Sequence, residues 1–485
     1  MNLPLLSLIV FLPLTGAITL WLLPARATRY AVALTLLLTL ALSTAAFLTF
    51  DPSGAHFQFV ERTPWISSLN VHYLLGVDGL SVLFLPSTAL LFLGSLVASW
   101  NLIKDSARLY YSLLLLLQSA TLGIFCALDT VLFYFFWEFT LVPLYFLLGR
   151  WGATAGSVLA APRYFLIMLA GGIPLLIAFI ILATNQPILT FDLMALLTNP
   201  LPRPTQSLVF LLCLLGFGVK VPLVPLHTWL PQFSLAAPGS LTALLVGLKL
   251  GAFGLIRFAI PLAPQAAQDM HWLLAGLGTV SLLYGAVGVL GQTNLRIGLA
   301  YASICHVGLA VLGLASFTAQ GVHGAVALLL SFSVATGGGF LLLEFLRQRT
   351  GSSDINALGG AVKTMPLLGT GFLICGLAGV GMPGTSSFPG EFLLILAALQ
   401  SHTGAGMAAL FGLAIAAGAF LALYRKAFLG PVTRPEVAQA EDLRPREKLV
   451  LLALIVMIVG IGLYPSPWFD IVRPAAEAWA AGLSK

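Results

Sequence analysis

Again and again along this chain about twenty residues pass with hardly a charge among them, and that pattern leaves few folds open. Unpaired backbone amides are too costly in lipid, so apolar runs of this length cross a membrane as helices. About fourteen such runs can be marked, near 3–23, 30–49, 79–99, 109–127, 130–149, 163–184, 207–227, 240–260, 272–291, 297–316, 320–345, 366–398, 405–427 and 447–467. Only 8% of the residues are charged and mean hydropathy is +1.00, whereas a soluble domain carries about 25% charge. The chain reads as an all-α polytopic membrane protein. Its first run, in "MNLPLLSLIVFLPLTGAITLWLLPAR", lacks a basic leader and reads as a retained helix rather than a cleaved signal.

The basic residues sort by side. Sixteen of the 23, among them Arg26, Arg29, Lys104, Arg108, Arg150 and Arg296, fall in one set of alternate loops. Five (Arg62, Arg203, Arg257, Arg473 and Lys485) fall in the other set with the tail, and Lys220 and Lys249 lie inside runs. The positive-inside rule puts the first set in the cytoplasm and both termini outside. The net charge of +6 then records orientation, and nucleic acid is not expected as a partner. No GxxxxGK[ST], strand-linked GxGxxG or HExxH motif occurs, so no nucleotide, flavin, iron–sulfur or metal site is expected in this chain. Cys126, Cys213, Cys305 and Cys375 each stand alone in an apolar run and read as small buried hydrophobes.

The charges that remain inside the apolar runs carry the functional reading. "VLFYFFWEFTLVPLYFLL" holds one, Glu138, nine residues past Asp129 and near mid-membrane for a helix starting there. A charge at that depth costs at least about 2.5 kcal/mol by insertion scales. It persists only when it faces protein or water, is paired, or is neutralised. Lys220 in "GFGVKVPLVPLHTWLP", Lys249 in "LLVGLKLGAFG" and Glu391 in "GMPGTSSFPGEFLLI" are similar, and neither lysine is placed to snorkel from a helix end. Acids and amines held at this depth can trade protons. Structural pairing is the alternative. His227 and His306 add groups that titrate near neutrality, while His323 reads as a loop or interface residue.

The layout repeats. A titratable group in one run (Glu138, His306) is followed two runs later by another beside prolines, Lys220 with Pro222 and Pro225, Glu391 with Pro383 and Pro389. The seventh and twelfth runs are expected to break there. Two five-helix units, 109–260 and 261–430, would follow a three-helix segment at 1–108 and precede a C-terminal helix and tail at 431–485. Five is odd, so the second unit would enter from the opposite side as an inverted repeat, an arrangement that places broken helices and ion sites at midplane.

"FYFFWEFTLVPLYFLLGRWG", "GFGVKVPLVPLHTWLPQFSLAAPGSLTALLVGLKLGAFGLIRF", "LRIGLAYASICHVG" and "GMPGTSSFPGEFLLI" resemble the antiporter-like membrane subunits of respiratory complex I. The C-terminal region looks most like the M-type, chain 4 members, and the resemblance covers nearly the whole chain. It implies fourteen helices, two inverted units and a single ion channel. Glu138 matches the family's fifth-helix glutamate, which pairs with the seventh-helix lysine matched by Lys220. Lys249 matches the eighth-helix lysine of the connecting path, and Glu391 the twelfth-helix residue, a glutamate in M-type chains. Three positions depart: Phe332 stands where a histidine is common, and Asn294 and Arg296 replace an Asp and a Lys.

The resemblance implies a proton-translocating subunit of an NADH–quinone oxidoreductase in a bacterial inner membrane. NADH, FMN, Fe–S clusters and quinone would be held by partner subunits, and the flanking partners would be other antiporter-like subunits within the lipid bilayer. Alternatives are a subunit of a multisubunit Na+/H+ antiporter, a member of a CO2- or hydrogen-linked complex with the same channel, or a scaffold that has lost transport.

Overall fold

The computed structural model describes residues 4–483. The start of the first expected span at residue 3, and Lys485 of the tail, lie outside the described residues. Helix α1 (Leu5–Thr19) and α2 (Thr28–Leu48) are followed by a hairpin of β1 (Gln58–Ile66) and β2 (Val71–Val77), then α3 (Phe84–Ser99), α4 (Ala107–Cys126), α5 (Thr130–Phe139), α6 (Leu141–Trp151) and α7 (Ser157–Thr184). The short α8 (Leu193–Thr198) precedes α9 (Arg203–Lys220), α10 (Trp229–Ala236), α11 (Gly239–Leu248), α12 (Leu250–Gly254), α13 (Ile260–Leu262) and α14 (Pro264–Asp269), with a π-helical turn, Leu255–Ala259, between α12 and α13. Next come α15 (His271–Leu290), α16 (Leu295–Leu314), α17 (Ala319–Thr350), α18 (Pro366–Gly379), α19 (Phe388–Ser401), α20 (Thr403–Phe428), α21 (Pro435–Ala438), α22 (Pro445–Leu463) and α23 (Ser466–Leu483). Among the described residues nine helices are long and apolar enough to cross a membrane, ten if α22 and α23, bent by 66°, form one span.

The hairpin departs from the all-α expectation. Aromatic and β-branched residues in "FQFVERTPWI" and "VHYLLGV" suit a pleated ribbon, and the strands pair antiparallel from Gln58↔Val77 to Ile66↔Val71. The ribbon positions two helices. Glu61 accepts from the backbone N–H of Leu6 at 2.8 Å, placing a carboxylate at the positive end of α1. Asp129 caps α5, accepting from Val131 N–H at 2.9 Å, while its other oxygen takes the His72 N–H of β2 at 3.0 Å. The hairpin thereby anchors the helix that carries Glu138.

Small residues let the long helices approach closely, as membrane bundles require. Gly278 of α15 faces the Gly308 carbonyl of α16, and Gly308 faces the Gly278 carbonyl, so a Cβ on either would strike backbone. Gly171 of α7 packs against the Val219 side chain of α9, which a Cβ there would crowd. The four cysteines are free and buried.

The expected breaks occur. α9 stops at Lys220 and helix resumes at Trp229; α18 stops at Gly379 and helix resumes at Phe388. A third break, in the eighth run, was not expected: α11 ends at Leu248 and α12 starts at Leu250, with Lys249 between them at φ +47°. The C-terminal tail forms helix α23, one face of which packs on the bundle. Its Trp479 is buried and donates Nε1–H to the Ile256 carbonyl at 2.8 Å.

Candidate functional site

Lys220 is the last residue of α9, and its ammonium reaches α5. Nζ donates to the Trp137 carbonyl and to Thr140 Oγ1, each at 3.2 Å, and lies 3.7 Å from the Trp137 ring centroid. A cation against the C-terminal carbonyls of α5 and an indole face is held by the helix dipole and by cation–π attraction. Glu138 is the next residue after Trp137. Both its carboxylate oxygens are buried without a hydrogen-bond partner, and it forms no ion pair with Lys220. The carboxylate occupies the space that a Cβ at Gly172 of α7 would fill. Glu138 and Lys220 are therefore close neighbours held just out of contact.

Lys249 sits in the backbone break between α11 and α12. The left-handed conformation costs a lysine about 1–2 kcal/mol, and it turns the side chain to Ser303 of α16, to which Nζ donates. Nζ is also 4.9 Å from the Phe332 ring centroid of α17. His306 stands edge-on to the same ring, centroids 5.3 Å apart. His306 Nδ1 bonds the Ala302 carbonyl at 2.6 Å, and its Nε2 lies 3.7 Å from Glu391 Oε1.

Glu391 lies in the first turn of α19, where a helix N-terminus favours negative charge. Gly381, φ +69°, lies in the α18–α19 break, and any Cβ there would collide with the Glu391 carboxylate. Ser331 of α17 donates to the Ser386 carbonyl at 2.6 Å, fixing the break beside Glu391.

Two groupings result: Glu138 with Lys220, and Lys249 with His306 and Glu391. Between them a cavity of about 30 Å³ is lined by Thr140, Lys220, Leu248 and Leu250, so it touches Lys220 and both residues flanking Lys249. That is room for a water molecule. Neither lysine is mid-helix as the apolar runs implied, for each occupies a helix end, Lys249 buried and Lys220 partly buried. His227 is buried in the α9–α10 break with its ring 4.6 Å from Tyr284, and no hydrogen bond or ion pair joins it to the other five.

Among the buried charged groups that escaped the sequence reading are Arg257, Asp78, Arg296 and Glu344. Arg257, assigned there to an outer loop, lies in the π-helical turn and is buried in a bidentate ion pair with Asp78, one arm at 2.7 Å. Its signal was present, a lone charge in "GLIRFAIPL". Arg296, assigned to a cytoplasmic loop, is buried in α16 and donates to the Ala237 carbonyl. Glu344 of α17 is also buried; it accepts from Gly239 N–H at 2.6 Å and Arg347 Nη2 at 2.7 Å.

Residues 127–416 match the family model described as NADH:quinone oxidoreductase/Mrp antiporter, TM. The chain is 32% identical to the NADH-quinone oxidoreductase subunit M of Rickettsia bellii, over 98% of each chain. To the subunit M of Rhodobacter capsulatus it is 33% identical, over 97% of this chain and 95% of that one. A chain of respiratory complex I from Thermus thermophilus superposes with TM-score 0.91 at 33% identity, covering 99% of both. A chain of the Mrp complex from Dietzia shares the fold, TM-score 0.85 at 22% identity, over 99% of this chain and 98% of that one. From full-length likeness in sequence and in fold, the chain belongs to the NADH:quinone oxidoreductase/Mrp antiporter membrane-subunit family, among its subunit M members.

Proposed function

We propose that this chain is the M-type membrane subunit of a proton-translocating NADH–quinone oxidoreductase, and that Glu138, Lys220, Lys249, His306 and Glu391 carry the proton. The observation that carries the site assignment is the relay of contacts from the Trp137 and Thr140 seat of Lys220, past a water-sized cavity, to Lys249, Ser303, His306 and Glu391. A carboxylate brought nearer an amine favours its protonated form, and withdrawal favours release. Movement of Glu138 toward Lys220 loads the lysine, and movement away passes its proton through the cavity water toward Lys249. His306 and Glu391 then take it across the second half. His227 is a lateral contributor at most, since it stands apart from this line.

The fourteen-crossing layout adds α1, α3, α9, the α18–α19 pair and α22 to the nine long helices. Its two five-helix units, 109–260 and 261–430, flanked by 1–108 and 431–485, are supported by a repeated backbone ladder. Thr130 N–H bonds the Phe191 carbonyl and Leu193 N–H the Leu128 carbonyl, around the caps Asp129 and Asp192. In the second half Leu295 N–H bonds the Ser353 carbonyl and Ile355 N–H the Thr293 carbonyl, around the caps Asn294 and Asp354. Counted from these caps, Ser303 stands level with Glu138, and His306 comes one turn later. An odd number of crossings per unit inverts the second relative to the first.

Both termini then face outside a bacterial inner membrane, and neighbouring antiporter-like subunits flank the chain. NADH, FMN, Fe–S clusters and quinone belong to partner subunits. The test is proton uptake by liposomes holding the complex with Glu138→Gln or Lys220→Ala. Electron transfer with proton uptake near background is expected, and undiminished uptake refutes the site. Uptake that requires sodium and no quinone would instead place the chain with the Mrp-type antiporters, whose fold it shares.

A further inference from the structure

A cavity of about 610 Å³ opens where α1 hands over to α2 and α3 to α4. Arg26, Arg29, Lys104 and Arg108 line it, with Trp21 and Thr28, and no carboxylate does; Asp105, the acid of that loop, is not in the wall. Arg29 Nη2 donates to the Ile103 carbonyl at 2.6 Å and Arg108 Nη2 to the Leu23 carbonyl at 2.5 Å. These neutral acceptors fix the guanidinium groups in place and leave their charge uncompensated. Arg150, bonded to Ser106 Oγ at 2.7 Å, adds a fifth cation at the rim. Two polar atoms of the wall have no protein partner, Arg108 Nε and Thr28 Oγ1, and Thr28 is only 1% exposed. Beside the opening Trp21 and Leu22 are 57% and 84% exposed, an apolar skirt next to a cationic pocket.

Converging cations and unmet donors suit a phosphate group, whose oxygens accept several charge-assisted bonds at once. An adjoining tryptophan and leucine suit acyl chains at a membrane interface. Basic pockets between membrane helices on the positive side bind acidic headgroups in this way. We propose that this cavity is a binding site for the phosphate headgroup of an anionic phospholipid, held by Arg26, Arg29, Lys104 and Arg108, with its chains along Trp21 and Leu22.

The test uses the purified membrane complex, wild type and with Arg26→Gln and Lys104→Gln together, both side chains being exposed. Each is placed in nanodiscs of phosphatidylcholine with graded phosphatidylglycerol, and native mass spectrometry counts the lipids retained on the chain. The wild type should keep a phosphatidylglycerol that the double variant binds about thirtyfold more weakly, with phosphatidylcholine unchanged. Equal retention overturns the proposal. So does inorganic phosphate, titrated into phosphatidylcholine discs, binding where phosphatidylglycerol does not. If the double variant does not assemble, Thr28→Val removes one donor at constant volume. Weaker phosphatidylglycerol retention is then expected, and retention equal to wild type overturns the site.

Discussion

Lys220 donates to the carbonyl of Trp137, the residue immediately before Glu138, yet makes no ion pair with the Glu138 carboxylate. The lysine is parked on backbone and an indole face, unpaired with its acid. If its task is to release a proton, a permanent cation cannot replace it. Lys220→Arg, which stays charged at every working pH, should lower proton uptake about 100-fold or more, the scale of losing an acid–base group, as Lys220→Ala does. Liposome proton uptake checks this, and wild-type pumping by Lys220→Arg would mean that only the charge matters.

Gly172 and Gly381 make space for the two glutamates. Gly172→Ala should push the Glu138 carboxylate from its seat and lower pumping, while assembled complex is retained. Gly381→Ala adds the left-handed penalty to its collision with Glu391, so a loss of about 1–2 kcal/mol or more is expected. Thermal unfolding of the solubilised complex measures it.

Phe332 packs against both Lys249 and His306, at a position where the family resemblance implied a histidine. Phe332→His places a titratable ring there and should leave pumping at or above the wild-type rate. A fall in proton uptake would show that the apolar ring itself is needed there.

Asp78 and Arg257 are buried together, so losing either leaves the other uncompensated. Asp78→Ala or Arg257→Ala should each cost about 3–5 kcal/mol. Replacing both with apolar residues of similar size, Asp78→Leu with Arg257→Met, should recover most of it. The amount of assembled complex in the membrane reads the difference, and no recovery in the double variant would give the charges a further role.

His271 Nδ1 and His402 Nε2 share a hydrogen bond of 2.8 Å at the ends of α15 and α19, outside the membrane-spanning segments. Partial burial, then the His271 charge, holds His402 below the ordinary histidine value of 6.5. Because the folded value is depressed, the contribution is complete above pH 6.5 and is lost as pH falls below it. The protection factor at the α19–α20 junction, exchange divided into the intrinsic rate at each pH, should therefore fall on acidification in the wild type, and much less so in His402→Gln.

Much of the site was legible because a charge inside an apolar run has few explanations. Glu138, Lys220, Lys249 and Glu391 stood out on that ground, and prolines marked two of the three breaks. The break at Lys249 has no proline; flanking Gly247 and Gly251 were its only local sign, and glycine is common in membrane helices. Arg257 bore the same mark as Lys249 but lay near a run's end, where a loop explains a charge equally well. Its partner Asp78 is 179 positions away, a distance that no local pattern spans. The hairpin was lost among long helices because a two-stranded ribbon leaves only a short alternating pattern.

Helix α23 touches both proposed halves. Trp479 is fastened to Ile256 in the first, the Leu483 carbonyl accepts from Gln268 at the start of the second, and Phe469 packs at a tilt against His323 of α17. A clasp closed across the seam resists shear between the halves, so transport by large rocking of one against the other would have to unbuckle it first. On the proposed proton path, side-chain swings and water rearrangement inside a stationary frame would then carry the charge.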